Sequence, residues 1–458
     1  MKKKPCPHTI TRLFAGALGA LAFLLGAPPA QAAVKSAADE TITLHVVPER
    51  DVVYRGGSRE VIVEVEVKAK RPAESYRSPV NLSVVLDRSG SMAGAKIEKA
   101  RQAACAALDK LEPDDFFSLV IFDNRTELLI PAERVGTVQH RAEWKSRIER
   151  IQPGGGTALY AGVQMGAKEV RRNLDAERVN RVILVSDGLA NVGPQRTSDL
   201  VELGRSLREE KLSVTTIGLG DDFNEDLMTG LAEASHANYY YVKDAEKLPG
   251  IFAEELGSAG SRVASSIRIR IEVPAGVCVR EIVGHPEIKC EERAAEISLP
   301  ELFGSEHRIY HLRCHVDEAG ADSVALAKVG LTYEDEAMKK RASQTGSASV
   351  RLTDDEKKSI ESIRDETARN VAVLQNRLDK EAAVALADAG RPKEAAALLE
   401  QRVYGNAQAP ANRQLPAVAE ENRRLQSWAD ELKAKGNLGN TSRKAAQYEN
   451  YQDRAQKR

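Results

Sequence analysis

Residues 81–92, Asn-Leu-Ser-Val-Val-Leu-Asp-Arg-Ser-Gly-Ser-Met, decide the fold of this chain. The first part, 81–86, is an apolar strand, and three oxygen-bearing side chains, Asp87, Ser89 and Ser91, follow it directly. A strand too apolar to alternate is typical of a parallel sheet that is covered on both faces. Polar residues at the carboxyl end of such a strand indicate a ligand site.

On either side of this stretch, residues 80–257 alternate apolar strands with amphipathic helices. Strands are predicted at 81–86, 116–122, 127–130, 181–185, 213–219 and 239–242. Helices are predicted at 96–111, 140–151, 159–174, 198–210, 224–234 and 245–256. This order predicts an α/β fold with a doubly wound, mostly parallel sheet.

The α/β region is flanked by β-rich sequence at 33–79 and 258–352. In 60–68, valines at every second position indicate a half-buried strand. Short strands separated by turn signals predict a β-sandwich or a similar β-domain. Further strands are expected at 41–47, 52–54, 266–272, 277–283, 288–292, 295–299, 308–316 and 324–332. We expect the two β segments to pair into one domain with the α/β region inserted.

Residues 353–458 are rich in helix formers and in interleaved charges. Gly390-Arg391-Pro392 is typical of a turn between two helices, and 389–395 also resembles half of a tetratricopeptide repeat. We expect a helical hairpin, a loop at 405–416 and a further break at 436–440. The mixed charges favour a solvated bundle, with partner binding as the alternative.

The composition describes a globular protein with two to three domains in 458 residues. Lys and Arg number 66 against 67 Asp and Glu, a net charge of −1. A chain with this balance and without a dense basic stripe is a poor nucleic-acid binder, so that class is set aside.

The first residues are typical of a secretory signal peptide. Lys2–Lys4 are basic, 13–27 are apolar, and Ala30-Gln31-Ala32 is a small-x-small cleavage site. The apolar run is shorter than the ~20 residues of a membrane-spanning helix. We expect 1–32 to be removed and the mature chain, which has no later stretch of spanning length, to reach the periplasm or the medium.

Four cysteines remain after residue 32: Cys105, Cys278, Cys290 and Cys314. Export permits disulfides without requiring them. Cys105 lies in Ala-rich helical sequence and is expected to pack as a small apolar residue. Cys278 and Cys290 flank a turn at 284–286 and could pair across it, but sequence alone leaves the connectivity open.

Two further segments are expected at the same end of the sheet as Asp87, Ser89 and Ser91. One is the glycine loop before Thr157, and the other is Ser186-Asp187-Gly188, which follows the strand at 181–185. Two carboxylates and three hydroxyls are hard oxygen donors, which suit Mg²⁺ best and Mn²⁺ or Ca²⁺ as well, and disfavour zinc and copper. Alternatively, the first motif is an ordinary strand-end turn that caps a helix.

Asp-x-Ser-Gly-Ser at 87–91, Gly-Gly-Thr at 155–157 and Ser-Asp-Gly at 186–188 resemble a von Willebrand factor type A domain over 80–257. The resemblance implies a metal-ion-dependent adhesion site. It implies that Ser89 and Ser91 ligate the ion directly, and that Asp87, Thr157 and Asp187 do so directly or through water. The wider layout resembles bacterial secreted proteins of the calcium-activated-chloride-channel-like or inter-alpha-trypsin-inhibitor-like type.

This interpretation predicts an exported, non-enzymatic protein whose metal ion captures a Glu or Asp carboxylate of a partner protein. Arg88, beside the site, is a candidate contact for that acidic ligand. The alternatives are an envelope scaffold with a non-essential metal, or a non-catalytic accessory subunit of an enzyme or channel. The chain contains no HExxH, CxxC, GxxxxGK[ST] or GxSxG motif.

Two other groups could be taken for metal sites. His307, His311 and His315 lie in alternating sequence that favours a strand, where four residues span ~13 Å, too far to share one ion. We therefore expect a solvated strand face. Asp221-Asp222 is acidic enough for calcium but is more typical of a polar loop at the end of a strand.

Overall fold

The computed structural model describes residues 41–70, 77–259, 261–285, 288–291, 293–317, 321–408 and 416–455. The predicted signal peptide at 1–32 and part of the predicted loop at 405–416 lie outside these residues. Within them, no helix is both long enough and apolar enough to cross a membrane.

The chain begins with the strands β1 (Ile42–Pro48), β2 (Val52–Tyr54) and β3 (Glu60–Ala69). The α/β region then runs through β4 (Val80–Asp87), α1 (Ala95–Lys110), β5 (Phe116–Phe122), β6 (Thr126–Arg134), α2 (Val138–Glu149), α3 (Leu159–Arg171), β7 (Val179–Ser186), α4 (Thr197–Glu209), β8 (Ser213–Leu219), α5 (Glu225–Ala234), β9 (Tyr239–Val242) and α6 (Leu248–Ala259).

After the α/β region come β10 (Arg262–Glu272), β11 (Val277–Ile282), β12 (Cys290–Glu291), β13 (Ala294–Phe303), β14 (His307–Val316), β15 (Ser323–Asp335) and β16 (Lys340–Thr353). The chain continues through α7 (Glu356–Glu361), α8 (Asp365–Asp388), α9 (Pro392–Ala407), α10 (Pro416–Lys435) and α11 (Asn440–Ala455).

The α/β region confirms the predicted fold class. Its sheet has the strand order β6-β5-β4-β7-β8-β9, parallel except for β6. Strands β4 and β7 are buried along their whole length, because α1, α2 and α6 pack on one face and α3, α4 and α5 on the other. The central pair β4 and β7 therefore delivers Asp87 and Asp187 to one edge of the sheet.

The N-terminal strands share a β-sandwich with the strands that follow the α/β region. One sheet has the order β1-β3-β14-β11, and the other β12-β13-β10-β15-β16-β2. Strand β3 pairs along nine positions with β14, from Lys68–His307 to Glu60–His315. The inward valines Val61, Val63 and Val65 of β3 are buried in the core between the sheets.

The α/β region leaves and re-enters the sandwich at a single turn. The amide of Ala69, at the end of β3, donates to the carbonyl of Glu306 at 2.8 Å. Ser261, just before β10, accepts from the amide of Gly304 at 2.8 Å. Both connections thus lie beside the turn between β13 and β14.

Strand β16 is missing from the sequence-based prediction. Its first half is largely polar and exposed, and only its second half buries apolar residues such as Val350 and Leu352. Pairing with β15 and β2, rather than a hydrophobic pattern, holds the segment in the sheet.

The expectation of a solvated histidine face is wrong for His311. The three histidines lie on β14 as a strand, but His311 is buried and its Nε2 lies 3.1 Å from Glu64 Oε2. Asn370 of α8 donates to the same carboxylate oxygen at 3.0 Å. The helical region therefore covers this face of the sandwich, which a strand pattern alone cannot reveal.

The C-terminal helices are not merely a solvated bundle, because α11 packs on the α/β domain. The ring centroid of Tyr451 lies 5.7 Å from that of Tyr239 in an edge-to-face contact. Lys444 donates to the carbonyl of Phe223 at 2.7 Å, and Thr441 to Asp221 at 3.1 Å. Helices α8 and α9 form the predicted hairpin around the turn before Pro392.

No disulfide joins the cysteines in the described part of the chain. Cys105 is partly buried against the α/β core, as expected, and burial raises the pKa of its thiol to about 11. Cys278 lies on β11 opposite His315 of β14, so its cross-strand neighbour is not Cys290. The pairing that the sequence left open is therefore not formed here.

Candidate metal centre

The candidate site starts at the end of β4 with Asp87, whose carboxylate is fully buried. Its Oδ1 accepts from the Ser89 amide at 2.7 Å, and its Oδ2 accepts from the Ser186 hydroxyl at the end of β7. Burial raises the pKa of Asp87 to about 6; hydrogen bonds from Ser186 and Ser89 oppose the rise, and the nearby Asp187 adds to it. The folded chain therefore holds a carboxylate that burial disfavours.

A chain of hydroxyls links the β4 loop to Asp187. The Oγ atoms of Ser89 and Ser91 lie 3.0 Å apart, and Ser91 Oγ donates to Asp187 Oδ1 at 2.7 Å. Both Ser89 and Asp187 are buried. Strands β4 and β7 thus bring four of the five predicted oxygen ligands into mutual contact.

The glycine loop brings in the fifth residue, Thr157. The amide of Gly154 donates to the Arg88 carbonyl at 2.7 Å, and that of Gly90 to the Gly155 carbonyl at 3.1 Å, so the two loops are tied together. A Cβ added at Gly188 would lie 3.0 Å from Thr157 Oγ1 and 3.5 Å from Ser91 Oγ. Thr157 therefore faces the same point as Ser91 and Asp187.

Two asparagines that the sequence analysis did not single out hold the glycine loop in place. Asn124 Oδ1 accepts from the Gly156 amide, and Asn191 Oδ1 from the Thr157 amide, both at 2.8 Å. Gly155 has φ +31°, and a Cβ there would come within 2.7 Å of Asn124 Nδ2. Only glycine fits at this position, because of the backbone conformation and the lack of space.

The donor set fits a hard divalent cation. The described residues contain no group of three or more His, Cys, Asp or Glu side chains placed to hold a metal ion. The five converging donors are instead two carboxylates and three hydroxyls, which match the oxygen preference of Mg²⁺, Mn²⁺ and Ca²⁺. Asp87, Ser89, Ser91, Thr157 and Asp187 are the residues that would hold the ion.

The Arg88 side chain is paired with two carboxylates of the chain. Its Nε lies 3.1 Å from Asp123 Oδ2 and its Nη2 3.2 Å from Glu127 Oε2. The contact between Arg88 and an acidic ligand stays a prediction, and an incoming carboxylate would have to compete with these two for the guanidinium.

Lys96 is a site residue that the sequence analysis missed. It lies in the first turn of α1, and its Nζ contacts Asp187 Oδ2, the oxygen that Ser91 leaves available. The helix dipole disfavours a cation in a first turn. A lysine in this unfavourable position indicates that a nearby carboxylate compensates its charge. That was the signal in the sequence from which the contact could have been inferred.

Comparison with known proteins identifies the domain that carries these residues. The sequence model of the von Willebrand factor type A domain matches residues 81–254. Those residues therefore form a von Willebrand factor type A domain, a class that typically mediates protein–protein interaction.

Two curated relatives and one solved structure show how far the similarity extends. The chain is 26% identical over 284 residues to the uncharacterized protein sll0103 of Synechocystis sp., covering 60% of this chain and 66% of the relative. It is 29% identical over 163 residues to human inter-alpha-trypsin inhibitor heavy chain H2, covering 34% of this chain and 17% of that one. The matches thus span less than two thirds of either relative.

The similarity of fold extends beyond the α/β domain. The von Willebrand factor type A structure from Catenulispora acidiphila has a TM-score of 0.64 at 18% identity, and the match covers 86% of this chain and 95% of that one. At this identity the likeness shows the fold alone. The match extends beyond residues 81–254, because it covers 86% of the chain.

Proposed function

We propose that this protein binds a partner protein by holding a divalent cation, most suitably Mg²⁺, that captures a Glu or Asp carboxylate of that partner. The observation that carries the proposal is the convergence of five hard oxygen donors from three loops at one edge of the sheet. Such an arrangement holds an ion while leaving room for a ligand from outside.

The residues around the proposed ion would have different roles. Ser89 and Ser91 are the direct ligands by analogy with the domain class, and Asp87 and Asp187 supply the negative charge. Ser186 and the Ser89 amide fix the orientation of the Asp87 carboxylate. A bound cation would supply electrostatic attraction for a carboxylate oxygen of the partner. Because three of the five ligands are neutral hydroxyls, the protein compensates the ion's charge less than a cage made only of carboxylates would.

The same reasoning supports a binding protein rather than an enzyme. Metal-assisted hydrolysis needs a general base beside the ion. Asp87 is committed to Ser89 and Ser186, and Asp187 to Ser91 and Lys96. Both carboxylates are thus engaged in holding the site, which favours ligand capture over proton transfer.

Replacing Ser89 by alanine is the direct test of the metal site. We expect Ser89→Ala to weaken Mg²⁺ binding at least tenfold in calorimetric titrations, because a buried direct ligand is lost. Recovery of a partner from the native cell envelope should require Mg²⁺, fail in EDTA and fail with the variant.

The matched control is Ser206→Ala, an exposed serine on α4. It should bind Mg²⁺ like the wild type, and both variants should keep the wild-type circular dichroism spectrum. Unchanged Mg²⁺ affinity in Ser89→Ala, or partner recovery indifferent to EDTA, would refute the proposed site.

We further propose that the chain is exported and cleaved after Ala32. The basic, apolar and small-residue segments of 1–32 support this. Expressed in a secreting bacterial host, the protein should be recovered outside the cytoplasm with Ala33 as its first residue by mass spectrometry. A cytoplasmic product that retains 1–32 would contradict export.

A further inference from the structure

The Asp187 carboxylate has two partners within the chain, and one of them is a cation. Ser91 Oγ occupies Oδ1 at 2.7 Å, and Lys96 Nζ occupies Oδ2. Asp187 is fully buried, while the Lys96 side chain is 28% exposed. The ammonium group therefore reaches the buried carboxylate from the solvent side.

The position of Lys96 makes this contact more than a surface ion pair. Helix α1 begins at Ala95, so the lysine lies among the N–H groups that repel a cation. Its Nζ also lies close to the β8 loop, 3.4 Å from where a Cβ of Gly220 would be. Attraction to the buried Asp187 offsets the unfavourable position of the Lys96 ammonium at the helix N-terminus. A divalent cation, with twice the charge, can displace an ammonium that is bound in this way.

The charges of the site show what Lys96 changes. Asp87 and Asp187 contribute −2 and Lys96 contributes +1, while Arg88 is compensated by Asp123 and Glu127. With a divalent cation added, Asp87, Asp187 and Lys96 sum to +1, whereas the two carboxylates and the cation alone would sum to zero. Arg88 with Asp123 and Glu127 adds −1 beside them, which solvent screens because the Glu127 side chain is 52% exposed. A metal-loaded site with no net charge attracts an anionic ligand only weakly. A site with a net charge of +1 attracts an anionic ligand more strongly.

We infer that Lys96 is a built-in counter-cation that competes with the divalent ion for Asp187 and makes the loaded site selective for an anionic, carboxylate-bearing ligand. The inference rests on the proposed metal site and adds its regulation. Lys96 would give up its contact with Asp187 when a divalent ion is bound there. Its charge would remain in the site on its short tether to α1, and metal and acidic ligand would therefore bind cooperatively.

The test is Mn²⁺ binding by the full chain, followed by electron paramagnetic resonance, without any partner. Lys96→Gln should bind Mn²⁺ about tenfold more tightly than the wild type, because Asp187 no longer has a competing charge. Lys96→Arg, which keeps the charge, should stay close to the wild type. The matched control is Lys99→Gln on the same helix, since Lys99 pairs with Glu246 away from the site.

Acetate, the simplest carboxylate, tests selectivity. Saturating acetate should tighten Mn²⁺ binding by the wild type more than by Lys96→Gln, since the variant lacks the extra positive charge. Unchanged or weaker Mn²⁺ binding in Lys96→Gln would overturn the inference, as would an equal effect of acetate on both proteins. If Lys96→Gln fails to fold, Lys96→Met provides the same comparison.

Failure of the inference and failure of the proposed function give different results. Absence of Mn²⁺ binding in the wild type and in the variant would overturn the proposed metal site and, with it, the role of Lys96. Equal, measurable Mn²⁺ affinity in both proteins would leave the metal site standing and overturn only the competition.

Discussion

Asp87→Asn is expected to abolish Mg²⁺ binding while raising the melting temperature measured in EDTA. The buried carboxyl has its pKa raised to about 6, so at pH 7.5 its ionised form costs the folded protein about 1 to 3 kcal/mol relative to the unfolded chain. Asparagine removes the charge but can still accept from the Ser89 amide. We therefore expect the variant to lose Mg²⁺ binding and to gain stability.

The pH dependence fixes the sign of this effect. A carboxyl whose folded pKa exceeds its unfolded value of 3.8 destabilises the fold fully above about pH 6, and the cost fades as pH falls towards 4. The stability gained by Asp87→Asn should accordingly be largest at pH 7.5 and vanish near pH 4. Calorimetric melting in EDTA across that range measures it.

Asp187→Asn is the matched variant, with the opposite expected effect on stability. It should also lose Mg²⁺ binding, but it should melt at a lower temperature in EDTA because Lys96 loses its ionic partner. Equal shifts of the melting temperature in both variants would contradict the assignment of Asp87 as the strained carboxylate and Asp187 as the compensated one.

Lys380→Met is expected to have the largest effect on stability. The Lys380 side chain is fully buried in α8, with Glu421 at 2.7 Å, Asp453 at 3.3 Å and Glu449 at 3.5 Å. Removing the cation leaves buried carboxylates from α10 and α11 facing one another. Breaking a buried ion pair from one side costs about 3–5 kcal/mol.

Hydrogen exchange with mass spectrometry localises that effect. We expect amides of α8, α10 and α11 to lose protection in Lys380→Met while the strands β4 and β7 keep theirs. Lys433→Met is the control, because Lys433 is 51% exposed and pairs with Glu400 at the surface. Full protection of α11 in Lys380→Met would show that the buried cation does not hold the helices together.

The fold, and the convergence of the five oxygen-bearing side chains proposed as ligands, were accessible from sequence for a local reason. Strands 116–122, 213–219 and 239–242 were predicted at their observed bounds, because each is a short apolar run between clear turn signals. Asp87 and Asp187 directly follow such strands. Parallel topology then fixes where strand ends meet.

What sequence reasoning missed depends on contacts between distant segments. Asn191 serves the site only because its loop folds back on Thr157. Likewise, His311 is buried only because α8 lies over β14, and α11 docks through Tyr451 on a face that looked complete without it. The contacts of Asn191 and His311 leave no periodic pattern in their own segments, and the helical pattern of α11 does not indicate which surface the helix covers.

The α/β domain joins the sandwich at a single turn. It is therefore an insertion whose two ends lie side by side. Because residues 69 and 261 both lie against 304–306, a short linker in place of 70–260 would leave the strand pairs of the sandwich in register. The β frame can therefore accept an insertion with neighbouring ends, or lose one, without being rebuilt. Exchange of the inserted domain would leave the strands in place and would require a new surface only where α11 packs on that domain.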